Sequence, residues 1–220
     1  MRDAAGCVVR ACGDNGGMRV IAGKFRSRTL TAPRGAATRP TSDRLRETLF
    51  NILAPRMEGA RFVDLYAGTG AMGIEALSRG AAQVWLAEKE EPALKSIRAN
   101  LKALGIVAGV EIEVRGVGAL LERLAKAGER AGAAAESAGQ SRASGAIDIV
   151  YLDPPWEAEA EYARTLEFLG GARGRAMLAV DAIVIAEHGS KKQLAERYGS
   201  LCRTRELKQG DAALSFYAMA

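Results

Sequence analysis

From Arg61 to Glu187, short apolar runs alternate with stretches of helical periodicity, and this alternation permits few folds. The apolar runs predict the strands Arg61–Leu65, Gln83–Glu88, Val110–Arg115, Ile147–Leu152 and Ala182–Glu187. The stretches that follow them predict helices near 70–79, 90–104, 117–127, 157–169 and 190–197. Strands and helices that alternate in this way build an α/β fold, in which a mostly parallel sheet is covered on both faces.

The carboxyl-terminal residues predict a different arrangement. Two strand-like runs, Leu201–Lys208 and Ala212–Ala218, flank Gln209-Gly210-Asp211 and predict a hairpin. This hairpin would form an antiparallel edge and bring the sheet to seven strands. The segment Lys126–Ala146 is rich in Ala, Gly and Ser, and it predicts a frayed helix end followed by a flexible loop.

The front of the chain predicts two short segments ahead of one main domain. Residues 1–17 predict a disordered leader, residues 18–40 a basic hairpin and loop, and residues 41–220 the main domain. The hairpin is predicted from two short strand-like runs, Arg19–Ala22 and Arg28–Thr31.

Composition excludes several classes of protein. The chain has 220 residues, 48% of them apolar, which suits one domain with a sizeable core. No apolar run approaches the ~20 residues that a membrane helix needs. The three cysteines lack metal-ligand spacing, which predicts free thiols in a reducing cytoplasm. The single histidine, His188, argues against a histidine triad or a histidine-rich metal site.

A glycine-rich turn follows the first strand, in the segment Asp64-Leu-Tyr-Ala-Gly68-Thr-Gly70-Ala-Met-Gly73. Glycines between a strand and a helix let a ligand approach the backbone, so the turn predicts a cofactor site. Both a dinucleotide and S-adenosylmethionine are compatible with it, and a tight turn without a ligand is the structural alternative. Asp64 favours S-adenosylmethionine, because a carboxylate at ~4 Å repels a pyrophosphate by about 4 kcal/mol and attracts a methionyl ammonium.

A second carboxylate, Glu88, closes the second strand and can accept both hydroxyls of a ribose, which either cofactor carries. The candidate cofactor-binding residues are therefore those of the turn and of the end of this strand. They are Asp64, Tyr66, Ala67, Gly68, Thr69, Gly70, Glu88 and Lys89.

The tetrapeptide Asp153-Pro154-Pro155-Trp156 follows the strand Ile147–Leu152 and predicts the catalytic site. Asp153 can accept a hydrogen bond from an amine, and proline lacks an N–H, which leaves the neighbouring carbonyls able to face a ligand. Trp156 offers a face for stacking, although a Pro-Pro turn with a core tryptophan is the alternative. The carboxyl ends of parallel strands line one crevice, so a methyl donor and an amine-bearing ring should meet there.

Positive charge is concentrated near the front of the chain. Between Met18 and Arg46 lie eight Lys or Arg residues against one acidic residue, Asp43. With a net charge of +5, this asymmetry favours a surface that faces nucleic acid, and a solvated basic face is the alternative. A helix is predicted to begin at Thr41 or Ser42. The candidate substrate-binding residues are Arg26, Arg28, Arg39, Thr41 and Arg44.

These segments together resemble the RsmD family of bacterial small-subunit rRNA guanine-N2 methyltransferases. The resemblance is carried by Arg19–Arg28, Arg39–Asn51, Asp64–Gly80 and the tetrapeptide. The discriminating part is Arg39–Arg44, because general methyltransferases lack it.

The resemblance implies a Rossmann-like methyltransferase domain that uses S-adenosylmethionine. It also implies that the exocyclic N2 of one guanine in 16S rRNA is methylated, within the small ribosomal subunit or an assembly intermediate, by a cytoplasmic monomer that uses no metal. The chain departs from the family pattern at two places. Trp156 stands where Tyr or Phe is usual, and Gly116-Val-Gly118 occupies the stretch where an Asn or Asp contacts adenine.

Other functions stay open from the residues alone. An adenine-N6 or cytosine-N4 DNA methyltransferase uses the same tetrapeptide, but this chain is short for a target-recognition region. A glutamine methyltransferase usually has Asn in place of Asp153. A non-catalytic RNA-binding protein with a degenerate methyltransferase fold is disfavoured by the intact Asp64, Gly68 and Glu88. A NAD-linked oxidoreductase is disfavoured by Asp64 and by the lack of an evident acid or base for hydride transfer.

Overall fold

A sheet of eight strands organises the residues that the computed structural model describes, which are 18–32, 42–137 and 146–220. In chain order the strands are β1 Arg61–Asp64, β2 Gln83–Ala87, β3 Val110–Glu113, β4 Ile147–Leu152, β5 Leu178–Gly189, β6 Arg197–Tyr198, β7 Leu201–Gln209 and β8 Ala212–Met219. Their spatial order is β3-β2-β1-β4-β5-β8-β7-β6, with β1 to β5 parallel and the last three antiparallel. The predicted parallel sheet with an antiparallel carboxyl-terminal hairpin is confirmed, and β6 is one strand more than predicted.

Helices cover both faces of this sheet. They are α1 Asp43–Leu53, α2 Ala71–Ser78, α3 Glu91–Leu104, α4 Val117–Ser137, α5 Glu159–Gly170 and α6 Ala172–Met177. The first three pack with Phe62 and Ile149 on one face, and the last three pack with Val63 and Val150 on the other. Successive residues of a strand point to opposite faces, so the central strands are apolar on both sides, as a Rossmann-like fold requires.

The order of the strands reverses between β1 and β4, which are neighbours in the sheet. The chain leaves β1 toward β2 on one side and leaves β4 toward β5 on the other. At such a switch point the two departing loops diverge and leave a crevice between them. Asp64 lies opposite Tyr151 in the register, so the loops that follow Asp64 and Leu152 open into the same crevice.

The basic hairpin, residues 18–32, is attached to helices on one face of the sheet. Its two predicted strands form only one bridge, between Arg19 and Thr29, because a short 3-10 helix at Gly23–Phe25 occupies the turn. Val20 is 1% exposed and belongs to the same apolar cluster as α1 and α2. Burial of this kind fixes the hairpin against the domain.

The predicted helix near 190–197 is wrong. Backbone groups in this stretch bind partners outside it: the N–H of Ala195 donates to the Tyr198 hydroxyl, and its carbonyl accepts from the Tyr217 hydroxyl. These tertiary bonds satisfy the backbone without a helical ladder.

Two other helices differ from prediction. α4 continues to Ser137, beyond the predicted end near 127, because its alanine-rich sequence has high helix propensity. The six-residue helix α6 was not predicted. The rest of the predicted loop, residues 138–145, and the predicted leader, residues 1–17, lie outside the described residues. Within the described ranges, every helix is too short or too polar to cross a membrane.

Candidate active site

Four adjacent strands carry a carboxylic acid at the same edge of the sheet. Asp64 is the last residue of β1, Glu88 directly follows β2, and Asp153 directly follows β4. Glu187 lies near the carboxyl end of β5. Because β2, β1, β4 and β5 are consecutive in the sheet, the predicted cofactor turn and the predicted tetrapeptide meet at one crevice.

Asp64 is buried, and neither of its carboxylate oxygens has a hydrogen-bond partner among the described residues. Burial raises the pKa of Asp64 to about 7, and the Glu88 carboxylate contributes to the rise. The N–H groups of Tyr66 and Gly73 lower this pKa in part, although neither reaches the geometry of a hydrogen bond. A buried acid without a partner costs free energy, so this position is suited to a ligand that brings a cation or a donor.

The glycine turn bends at Gly68 and Gly70, whose φ angles are +53° and +78°. Glycine adopts these angles at little cost, whereas other residues are strained there. A Cβ on Gly68 would meet no atom within 4 Å, so the backbone is open to an approaching ligand at this point. Gly73 serves packing instead, because a Cβ there would lie 2.4 Å from Leu86 Cδ2.

Glu88 holds the glycine turn through its carboxylate. Its Oε2 accepts the Gly68 N–H at 2.9 Å, and its Oε1 accepts the N–H groups of Lys89 and Glu90 at 2.7 and 2.9 Å. Carboxylate oxygens have further lone pairs, so Glu88 is still able to accept from ribose hydroxyls. The Lys89 side chain is exposed and lies beside Gly116.

The remaining predicted cofactor residues are fixed by main-chain or distant contacts. The Ala67 N–H donates to the last carbonyl of β2 at 3.0 Å, and the Thr69 carbonyl accepts from the Asn100 side chain at 3.0 Å. The Tyr66 hydroxyl donates to Glu161 on α5 at 2.9 Å, and burial raises its pKa to about 12. The Tyr66 hydroxyl therefore anchors the turn to α5, while the turn offers its backbone to a ligand.

The tetrapeptide leaves the sheet at the end of β4 and is held by side chains from two other segments. The Tyr162 hydroxyl of α5 lies 3.4 Å from the Pro154 carbonyl. Lys192, from the loop after β5, donates from Nζ to the Trp156 carbonyl at 3.1 Å. Pro154 is buried and Pro155 is exposed. The peptide groups of the tetrapeptide are thus oriented by tertiary contacts outside the strand ladder.

Trp156 lies at the rim of the crevice with its ring partly exposed. The ring packs beside Gly189, where a Cβ would come within 3.3 Å of the Trp156 Cε3 atom. A tryptophan of the core would be buried, so the partial exposure of Trp156 is compatible with stacking on a planar ligand.

Asp153 has a strongly perturbed acidity. Burial raises the pKa of Asp153 well above its usual value, and the carboxylates of Glu187 and Asp64 raise it further. The neighbouring Trp156 side chain lowers the pKa of Asp153 in part. A carboxyl with a raised pKa is a stronger base than an exposed aspartate, which suits a group that receives a proton near neutral pH.

Three residues at the crevice were not among the predicted site residues. Tyr151 donates its hydroxyl to the Glu187 carboxylate, and Tyr162 donates to the Glu187 carbonyl at 3.0 Å. Glu187 closes a predicted strand, so its position at the carboxyl edge was a usable signal. The tyrosines have apolar spacing in the sequence, and only the fold reveals where their hydroxyls lie.

The predicted substrate-binding residues are only partly described. Arg26, Arg28 and Arg44 have exposed side chains, and Arg28 donates to the Ala103 carbonyl of α3 at 3.0 Å. Arg39 and Thr41 lie outside the described residues.

The crevice fits S-adenosylmethionine. The unpaired Asp64 carboxyl matches the ammonium of the methionyl part, and the acceptors of Glu88 match the ribose hydroxyls. An ionised Asp64 at this edge would attract a cofactor with positive charge and repel a pyrophosphate. Groups of three or more His, Cys, Asp or Glu residues placed to hold a metal ion are absent from the described residues.

Comparison with known proteins identifies the relatives of this chain. A family model described as "Conserved hypothetical protein 95" matches residues 18–218. The Bacillus subtilis (strain 168) protein named "Putative rRNA methyltransferase YlbH" is 32% identical over 91% of this chain and 98% of its own length. "Ribosomal RNA small subunit methyltransferase D" of Escherichia coli (strain K12) is 46% identical over 41% of this chain and 46% of its own length.

Solved structures agree with these relatives. The Escherichia coli structure described as "Putative methyltransferase yhhF" has a TM-score of 0.71 and 29% sequence identity. The likeness covers 93% of this chain and 98% of that chain. S-adenosylmethionine is the cofactor of such methyltransferases, and the chain belongs to the RsmD family of methyltransferases.

Proposed function

We propose that this protein transfers a methyl group from S-adenosylmethionine to the exocyclic N2 of a guanine in 16S rRNA. The observation that carries the proposal is the meeting of Asp64 and Asp153 on neighbouring strands at the switch point of the sheet. One of these acids suits a cationic methyl donor, and the other suits an amine that loses a proton. The name of the Escherichia coli relative supports the small-subunit rRNA as substrate.

At the cofactor end of the crevice, Asp64 would bind the ammonium and Glu88 the ribose, and the open backbone at Gly68 would let the cofactor approach closely. S-adenosylmethionine, when bound, supplies an electrophilic methyl group on a sulfonium. The residues at this end would hold and orient the cofactor. The bond from the Gly68 N–H to Glu88 fixes the geometry of the glycine turn.

At the base end, Asp153 and the Pro154 carbonyl would accept hydrogen bonds from the guanine amine. The lone pair of this nitrogen is delocalised into the ring, and two acceptors favour a more tetrahedral nitrogen whose lone pair points away from them. Positioning of this kind can supply a large part of a rate enhancement. The guanine must leave its own base stack to reach the crevice. Trp156 would then stack on the guanine, a contact worth ~1–3 kcal/mol.

The proton that leaves the nitrogen would pass to Asp153. Burial and the neighbouring Glu187 carboxylate raise the pKa of Asp153, so that the carboxyl binds this proton more strongly than an exposed aspartate does. The Tyr151 hydroxyl donates to the Glu187 carboxylate, which keeps Glu187 in place beside the tetrapeptide.

The direct test is radiolabelled methyl transfer to 30S particles, free 16S rRNA and duplex DNA in parallel, followed by nucleoside analysis. We expect labelled N2-methylguanosine from one of the RNA substrates. Labelled N6-methyladenosine, or label in DNA alone, would refute the proposal.

The Asp153→Ala variant tests the assignment of the base end. We expect it to abolish transfer while cofactor affinity stays near that of the wild type, because Asp153 contacts the amine. Glu157→Gln is a matched control, since Glu157 is an exposed acid next to the tetrapeptide. Full activity of Asp153→Ala would show that the base is held elsewhere.

A further inference from the structure

Asn100 joins two segments that are far apart in the sequence. It lies on α3 and is 2% exposed. Its Oδ1 accepts the N–H of Thr31 at 2.7 Å, and its Nδ2 donates to the carbonyls of Thr31 and Thr69, each at 3.0 Å. Thr31 belongs to the basic hairpin and Thr69 to the glycine turn, so one buried amide binds both.

Two other contacts connect the same pair of segments. The Thr69 hydroxyl donates to the Met18 sulfur at 3.2 Å. Glu75, which is 0% exposed on α2, accepts the N–H groups of Ile21 and Ala22 at 2.7 and 3.0 Å. α2 begins directly after the glycine turn, so the hairpin is bound both to the turn and to the helix that the turn opens.

The outer side of the hairpin carries exposed positive charge. Lys24 and Arg26 are exposed, and Arg28 is exposed while it donates to Ala103 on α3, the helix that also holds Asn100. RNA phosphates bound by these side chains would restrain the hairpin, whose other side is hydrogen-bonded to the glycine turn.

We propose that Asn100 is a positioning residue that couples the binding of RNA by the basic hairpin to the binding of cofactor by the glycine turn. The RNA-binding part of this proposal rests on the proposed function, whereas the cofactor-binding part depends only on S-adenosylmethionine being the cofactor. When the hairpin is fixed by RNA, the Asn100 amide holds Thr69 and hence the turn. Coupling between two sites is reciprocal, so cofactor also strengthens the binding of RNA.

The test measures the affinity for S-adenosylhomocysteine by equilibrium dialysis, with and without saturating 16S rRNA. For the wild type we expect RNA to raise this affinity about fivefold or more. In Asn100→Ala, two carbonyls lose their donor, and we expect a cofactor affinity without RNA about tenfold weaker. The effect of RNA should also be reduced to less than about half of its wild-type value.

Ser96→Ala is the matched control. Ser96 lies one turn earlier on the same helix, is 6% exposed, and donates only within the helix, to the Pro92 carbonyl at 3.1 Å. We expect it to keep both the wild-type affinity and the wild-type effect of RNA. If Asn100→Ala has a wild-type affinity, or loses affinity while the full effect of RNA persists, the coupling role is wrong.

A measurement on the wild type covers the case in which Asn100→Ala does not fold. Hydrogen exchange should slow in peptides from residues 18–32 when S-adenosylhomocysteine binds, because the turn transmits its order to the hairpin. Unchanged exchange in these peptides would overturn the proposal. Failure of 16S rRNA to bind the wild type would instead contradict the proposed function, and the cofactor affinity of Asn100→Ala would still decide the role of Asn100 at the turn.

Discussion

At the scale of single residues, Asp64 is the position where folding and binding oppose each other most clearly. A buried carboxyl without a partner destabilises the folded protein and gains its partner only when a ligand binds. The shift of its pKa from 3.8 to about 7 corresponds to on the order of 4 kcal/mol at neutral pH and above. A cationic ligand that pairs with Asp64 would therefore remove part of this free-energy cost.

Asp64→Asn should stabilise the protein without cofactor and weaken cofactor binding. The folded protein binds more protons than the unfolded chain between pH 3.8 and about 7, so the contribution of Asp64 to stability falls as the pH rises through this window. We therefore expect the variant to melt several degrees higher than the wild type at pH 8 and no higher near pH 4, by calorimetry without ligand.

Cofactor affinity should change with pH in the opposite direction to the stability contribution of Asp64. Wild-type affinity for S-adenosylhomocysteine should rise between pH 6 and 8 as Asp64 ionises, and the variant should lose this rise. Asp181→Asn is the control, because Asp181 is an exposed acid paired with Arg56 and contributes little to stability. Equal pH profiles for wild type and Asp64→Asn would contradict the role of Asp64.

The positions of some candidate site residues along the fold could be predicted from the sequence. Asp64, Glu88 and Asp153 end strands, and the glycines mark the turn, so composition and position suffice. Tyr162 and Asn100 could not be predicted, because their importance depends on which helix packs against which loop. An asparagine within an amphipathic helix carries no signal until the fold shows what its amide reaches.

At the scale of elements, substitutions in the glycine turn allow the effect of backbone strain to be told apart from the effect of lost ligand contact. Gly68→Ala and Gly105→Ala both place a Cβ at a positive φ, +53° and +67°, and neither Cβ would meet an atom within 4 Å. We expect a similar loss of stability, about 1 to 2 kcal/mol, from both. Only Gly68→Ala should lose cofactor affinity, because Gly105 caps α3 away from the crevice. Equal binding by the two variants in a calorimetric titration would remove Gly68 from the cofactor site.

The link between α5 and the tetrapeptide gives another prediction at this scale. Tyr162→Phe removes the hydroxyl that contacts the carbonyls of Pro154 and Glu187. We expect a lower kcat for methyl transfer with little change in cofactor affinity, since the Pro154 carbonyl loses its support. Tyr217→Phe is the control, because its buried hydroxyl also donates to a backbone carbonyl, that of Ala195, outside the tetrapeptide. An equal kcat for the two variants would contradict a positioning role for Tyr162.

Periodicity predicted the strands better than the helices, for a physical reason. The central strands are apolar on both faces, and buried runs such as Ile147–Leu152 carry this signal whatever surrounds them. The stretch 190–197 has helical spacing, yet Tyr198 and Tyr217 bind its backbone and tertiary contacts prevail. The length of α4 was underestimated, because an Ala- and Gly-rich sequence is compatible with either a helix or a loop.

At the scale of the whole molecule, the two faces of the sheet differ in what they carry. The hairpin lies on the face of α1, α2 and α3, whereas α4 packs on the opposite face. The exposed Lys24 and Arg26 are therefore on one face, and the exposed Lys126 and Arg130 are on the other. This separation offers matched pairs of charges for a test of where RNA binds.

Binding of 16S rRNA should depend on salt through the hairpin charges. Each lost phosphate contact lowers the slope of log K against log salt by about 0.7 to 0.9. The double variant Lys24→Ala, Arg26→Ala should therefore bind more weakly and less steeply with salt in filter-binding titrations. The double variant Lys126→Ala, Arg130→Ala should keep the wild-type slope. The reverse result would place RNA on the α4 face.

The two outermost strands have a consequence for self-association. β6 has two residues, and β3 has four, with Glu111 and Glu113 each paired to an arginine. An edge strand recruits another chain through a row of unpaired backbone groups, and short or charged edges offer few of them. β6 pairs with β7 only at Leu201 and Cys202, so the rest of that edge is β7, which has a bulge between Arg203 and Arg205 and a charged side chain at Lys208. Short, bulged and charged edges are poor templates for strand addition, which protects the mostly parallel sheet from aggregation.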